Sequence, residues 1–261
     1  MSTTIDTPSS GGREFSIGSV ISETFSTYFA NFIKFTLLGV IVYLPTAAMM
    51  AAAMGTINFN DPQALLDATS SGGTGFFAAY GLINILMSLA AAVVMAAITY
   101  AAIEHKNGKS VSIGAMLGRA MGVLLPLIGA AILYYIAVIV GMILLVIPGI
   151  IVALMLAVSF PAVIAEQLGP IEALKRSREL TNGHKWSIFG GAFVYGIVVG
   201  IVQIVLMLVM GLLGPIALGI GALLMYAISV GLGSCFIAAI YTNLREAKEG
   251  IGVSELAAVF E

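Results

Sequence analysis

Apolar residues from Phe15 to Phe32 recur in steps of three and four: Ile17, Val20, Ile21, Phe25, Tyr28, Phe29 and Phe32 share one helical face, with Ser19, Ser22, Glu23 and Ser26 opposite. That spacing predicts an amphipathic helix lying at a membrane surface. Further along, the period disappears and the chain is apolar on every face for long distances. No Asp, Glu, Lys or Arg stands between Lys34 and Asp61, Asp67 and Glu104, Arg119 and Glu166, or Lys185 and Arg245, which leaves uncharged runs of 26, 36, 46 and 59 residues. A bilayer core about 30 Å thick takes about 20 apolar residues per helix, so the first two runs hold one span each and the last two hold two each. Membrane strands would alternate apolar and polar over about ten residues, which these runs do not.

The expected fold is all-α: a polytopic membrane bundle of six transmembrane helices, over residues 15–244, with amphipathic cytoplasmic surface helices. The spans are expected at about 35–54, 76–103, 120–146, 151–165, 186–212 and 216–243. Residues 1–14 read as a disordered tail without the basic start and apolar core of a signal peptide, and 245–261 as a cytoplasmic C-terminal tail. Pro45 predicts a kink near Tyr43 in the first span. Ile147-Pro148-Gly149-Ile150 predicts a tight turn that leaves span four short for a bilayer. Pro170 opens a further short surface helix, expected to end near Asn182 and Gly183.

Charge adds orientation. The eleven Lys and Arg residues fall only in the first, third, fifth and seventh segments outside the spans, and residues 55–75 carry none. The positive-inside rule then places both termini in the cytoplasm, for a multi-pass protein of a bacterial inner membrane. Composition agrees: 60% of residues are hydrophobic, 9% are charged and the mean hydropathy is +1.08, against roughly 25% charged in soluble domains. Among the thirty glycines, Gly196 with Gly200 and Gly118 with Gly122 have the spacing of close helix contacts, and Ala227 with Gly231 is a looser version; ordinary packing is the expected role. The net charge of -2 gives no sign of a nucleic-acid partner.

Candidate chemistry is sparse. Cys235 is the one cysteine, and His105 and His184 stand in separate loops with no ligand set around either, so neither a metal nor a cofactor is expected. Glu166 closes span four beside a segment holding Lys175, Arg176, Arg178 and Lys185, and an acid at that depth needs a partner. Its interfacial position favours a lock between helices over a proton or cation site. The basic cluster serves either to attract anionic lipid headgroups or only to set topology. Asn84 and Gln203 are amides well inside spans two and five, where interhelical hydrogen bonds or a substrate pathway would use them. Several tyrosines and Trp186 fall near span ends, with Trp186 and Tyr241 expected as interfacial anchors.

Ser16-Ile17-Gly18 before span one recurs as Ser112-Ile113-Gly114 before span three, and Pro170 to Thr181 stands before span five. The plan reads as three copies of a surface helix followed by a membrane hairpin. Ile147-Pro148-Gly149-Ile150, Phe160-Pro161-Ala162-Val163, and the set Ala173, Arg176, Ser177, Leu180 and Thr181 resemble the YciC-type bacterial inner-membrane proteins. More distantly they resemble the membrane domain attached to some glycerophosphoryl diester phosphodiesterases. The resemblance implies a six-helix integral membrane protein and brings no catalytic residues with it. The expected function is that of a non-enzymatic membrane protein organising lipid or a protein partner, with homo-oligomerisation open. The alternative is a transporter or channel for a neutral or lipidic molecule.

Overall fold

The computed structural model describes residues 15–56 and 74–250. Expectations that fall on 1–14, 57–73 and 251–261, including the N-terminal tail and most of the uncharged loop after span one, lie outside the described residues. In chain order the helices are α1 (Ile17–Ala30), α2 (Phe32–Thr56), α3 (Thr74–Lys106), α4 (Ile113–Gly122), α5 (Leu124–Leu144), α6 (Val146–Met155), α7 (Ser159–Glu166), α8 (Pro170–Thr181), α9 (Lys185–Leu212) and α10 (Pro215–Glu249). The described residues contain no strand. Among the described residues five helical stretches are long and apolar enough to cross a membrane, and six if the bent α1–α2 pair counts as one span.

Three details depart from the expectations. Helix α2 opens at Phe32, which the sequence assigns to the surface helix, and continues through Pro45; an 81° bend at Asn31 separates it from α1. Asn31 donates its side-chain amide to the Thr27 carbonyl at 3.2 Å, the local competition with helix bonding for which Asn is suited. The turn between spans three and four is at Leu145, whose backbone is extended, and Ile147-Pro148-Gly149-Ile150 belongs to the first turns of α6. Proline is tolerated there because the first amides of a helix have no intrahelical partner. Span four therefore gains residues 146–150 and runs Val146–Glu166, 21 residues, so it is not short. Finally, span six and the start of the C-terminal segment form one helix to Glu249, closed by Gly250 in the left-handed conformation.

Helix α10 is the centre of the bundle, packed by α1, α2, α3 and α9. Small residues permit this. A Cβ on Gly39 would stand 2.7 Å from the Ala227 Cα, and Gly231 lies under the Tyr28 ring. Gly196, Gly200, Gly118 and Gly122 instead face open space, where a Cβ would meet nothing within 4 Å. The looser Ala227/Gly231 pair makes the close helix contact, and the two stricter pairs make none among the described residues.

The order surface helix then hairpin occurs three times: α1 with α2–α3, α4 with α5–α7, and α8 with α9–α10. Each surface helix packs chiefly on a hairpin other than its own. Helix α1 lies on α10 and α9, α4 on α3, and α8 on α5 and α7. The first helix thus covers the third hairpin, the second covers the first and the third covers the second, which closes the units into a ring. Their register agrees. The fourth, eighth and eleventh positions are buried each time: Val20, Thr24 and Thr27; Met116, Ala120 and Val123; Ala173, Ser177 and Leu180. The seventh position is charged each time: Glu23, Arg119 and Arg176.

Candidate functional site

Those three charged residues meet the C-terminal ends of the long helices, and the contacts form one polar seam. Arg176 on α8 lies 3.0 Å from the Glu166 carboxylate at the end of α7, and also pairs with Glu249 at the end of α10. Arg245 completes the cluster through Glu249 at 2.9 Å, and the Tyr241 hydroxyl donates to Glu166 Oε1 at 2.6 Å. Burial works against the Arg176 charge, but hydrogen bonds to Glu249 and Glu166 outweigh it and hold the guanidinium above its usual range.

The second cluster is built around Glu23 on α1. Lys106 Nζ lies 2.9 Å from Glu23 and 3.0 Å from Glu246, joining α1, α3 and α10. Asn243 Nδ2 donates to Glu23 at 2.8 Å, and Ser19 donates to Asn243 Oδ1 at 2.9 Å. Arg119 on α4 makes the third connection. It donates to the Ile164 and Ala165 carbonyls at 3.1 and 3.2 Å, where the unpaired acceptors at the end of α7 need donors. Its guanidinium stands 5.6 Å from the centre of the Tyr100 ring.

Helix α8 also repairs a break in span four. Helical bonding stops between Met155 and Ser159, and Ser177 Oγ there accepts from the Val158 amide at 3.2 Å and donates to the Met155 carbonyl at 3.0 Å. Thr181 donates to the same carbonyl at 3.0 Å. Pro161 lies in the first turn after the break, where its missing N–H costs little. Ala173, Ser177, Leu180 and Thr181 are all buried against the bundle, so the motif around Arg176 is a packing surface with a hydroxyl splint.

Of the sequence candidates, Glu166 and Arg176 come together. Lys175 and Arg178 are exposed and join none of the ion pairs among the described residues. Gln203 donates to Ser229 Oγ at 2.7 Å, and Ser229 donates on to the Met225 carbonyl. This amide lines a cavity of about 250 Å3 between the α1–α2 elbow, α9 and α10. Asn84 lies on α3, and its side chain is outside the described residues. Trp186 is 73% exposed at the start of α9, while Tyr241 is buried within the seam. Tyr241 is therefore a core residue and not an exposed anchor. Sequence reasoning missed Glu23, Lys106, Arg119, Arg245 and Glu249. The charge at the seventh position of each surface helix is the signal that finds the first, third and Arg176 together.

His184 contacts the Phe15 ring, with centroids 5.6 Å apart, and burial together with the Lys248 charge pushes its imidazole below the ordinary value. Among the described residues no three His, Cys, Asp or Glu side chains are grouped to hold a metal ion. No protein-family model, no curated protein and no solved structure matches the chain.

Proposed function

We propose that the chain is a multi-pass protein of a bacterial inner membrane, with both termini in the cytoplasm, whose role is to organise membrane lipid without catalysing a reaction. The observation that carries this reading is the division of labour on α8. Arg176 is spent on Glu166 and Glu249, while Lys175 and Arg178 on the same helix are exposed, as is Trp186 at the start of α9. Glu172 turns back to cap the helix through the Gly169 amide, and the exposed Glu179 offsets one of the two outward cations, with the half-buried Lys185 following at the start of α9. A basic face beside an interfacial tryptophan suits anionic headgroups, at about 1 kcal/mol per charge near the surface.

Topology alone also accounts for cations at this end, so the experiment must read lipid directly. Native mass spectrometry of the protein released from its own membrane is expected to show a retained anionic phospholipid that is lost in the Lys175→Gln/Arg178→Gln double variant. A lipid-free particle, or the same lipid retained in the variant, contradicts the reading; a retained protein partner would move the role to a scaffold. Arg176 is not a suitable target, because its removal would strip Glu166 and Glu249 of their partner. Membership of the YciC-type family belongs to the same proposal, and the buried set on α8 is the part of the resemblance with a structural role. The transporter alternative shares Gln203 and its cavity, but the Gln203 amide nitrogen is engaged by Ser229.

A further inference from the structure

We infer that the cavity between the α1–α2 elbow, α9 and α10 is a seat for one acyl chain of a membrane glycerolipid. The inference rests on the lipid reading above but concerns a different part of the molecule. One wall is aromatic: Phe25, Phe29 and Phe32 stack in succession at 6.4 Å centroid spacing, with Tyr28 edge-on behind them. The facing walls are mainly aliphatic side chains and Met225 from the middle of α9 and α10, inside two stretches apolar enough to span a membrane. At the mouth, Phe29 is 64% and Phe32 is 42% exposed, with no charged residue among the described lining residues.

Three features select the occupant. The polar groups in the lining, Gln203 and Ser229, are hydrogen-bonded to each other at 2.7 Å and on to a backbone carbonyl, so they offer little to a polar ligand. The volume of about 250 Å3 falls below the roughly 300–1,000 Å3 of sites that enclose a small molecule. An α-helix with its side chains is about 10–12 Å across and does not fit either. A flexible hydrocarbon chain entering sideways from the bilayer meets each condition, and dispersion contact with the aromatic wall would hold it.

The test uses the whole protein in vesicles of phosphatidylethanolamine and phosphatidylglycerol containing a small fraction of phospholipid with a photoreactive group midway along one chain. After illumination, adducts are mapped by peptide. The expected result is about tenfold more adduct on the elbow and the facing parts of α9 and α10 than on the exposed face of α5, equivalent to one decade of affinity. Filling the cavity with Val199→Trp/Ile228→Trp is expected to bring labelling down to the α5 level, while Ile204→Trp, on an exposed face of α9 outside the cavity, is expected to leave it unchanged. Equal labelling of the cavity and α5 in the unmodified protein overturns the inference without recourse to any variant. So does enrichment that persists with the cavity filled, or a dimer whose second copy excludes lipid from the cavity. Enrichment that survives Lys175→Gln/Arg178→Gln supports the seat even where the headgroup reading fails, and flat labelling sinks the seat even where that reading holds.

Discussion

Glu166 illustrates how one side chain gathers several helices. Its carboxylate, 22% exposed, accepts from Arg176 on α8 and Tyr241 on α10 while ending α7. Breaking such a pair by removing one charge costs more than the pair is worth intact, because the remaining charge loses its partner away from bulk water. Arg176 keeps Glu249, which limits the damage. Glu166→Gln is expected to destabilise the protein by about 1–3 kcal/mol, seen as a lower melting temperature in detergent. Lys109→Gln removes a pair 3.8 Å apart whose lysine is 65% exposed, and no measurable change is expected. Equal losses in the two variants would mean that the seam is held no better than a surface ion pair.

At the scale of elements, helix ends and helix contacts depend on details that hydropathy does not carry. The apolar runs locate every long helix, because a segment without charge over 20 or more residues has few alternatives to membrane-length helix. They do not locate the turn at Leu145, since proline and glycine signal a turn in water yet also suit the first turn of a helix against a close neighbour. A Cβ on Gly141 would stand 2.9 Å from the Gly149 Cα, so the pair acts as a contact between α5 and α6. Spacing alone also misjudged the glycines. Gly39→Ala forces a Cβ against Ala227 backbone and is expected to cost about 1–3 kcal/mol, whereas Gly196→Ala faces open space and is expected to be neutral or slightly stabilising. Melting both variants in the same detergent decides it, and parity would mean that the α2–α10 contact contributes nothing at Gly39. Ser177→Ala leaves the Val158 amide without its acceptor inside the break of span four, with an expected loss of about 1–3 kcal/mol. Ser177→Thr is expected to lose less, because the hydroxyl remains.

The whole molecule is organised by the ring, in which each surface helix covers a neighbouring hairpin and sends its seventh residue to a helix end. A repeated Ser-Ile-Gly hinted at this in the sequence, but the third copy begins Gly169-Pro170-Ile171, so only burial at matching positions makes the register visible. The seam was half legible for the same reason. Glu166 and Arg176 are ten residues apart and could be paired on paper, whereas Glu23 and Lys106 are 83 apart and Arg176 and Glu249 are 73 apart. Nothing short of the packing of α1 and α8 on α10 brings those partners together. The proposed function requires that the three surface helices and the seam share the cytoplasmic side. Cysteine labelling tests this most directly, in a Cys235→Ala background that removes the native buried thiol. Ser110→Cys and Asn182→Cys report the surface-helix side, Leu213→Cys reports the turn between α9 and α10, and intact cells are treated with a membrane-impermeant maleimide. Labelling is expected at Leu213→Cys, with none at Ser110→Cys or Asn182→Cys until the cells are opened. Labelling of Ser110→Cys or Asn182→Cys in intact cells would contradict this arrangement, because the ring of surface helices would then lie outside.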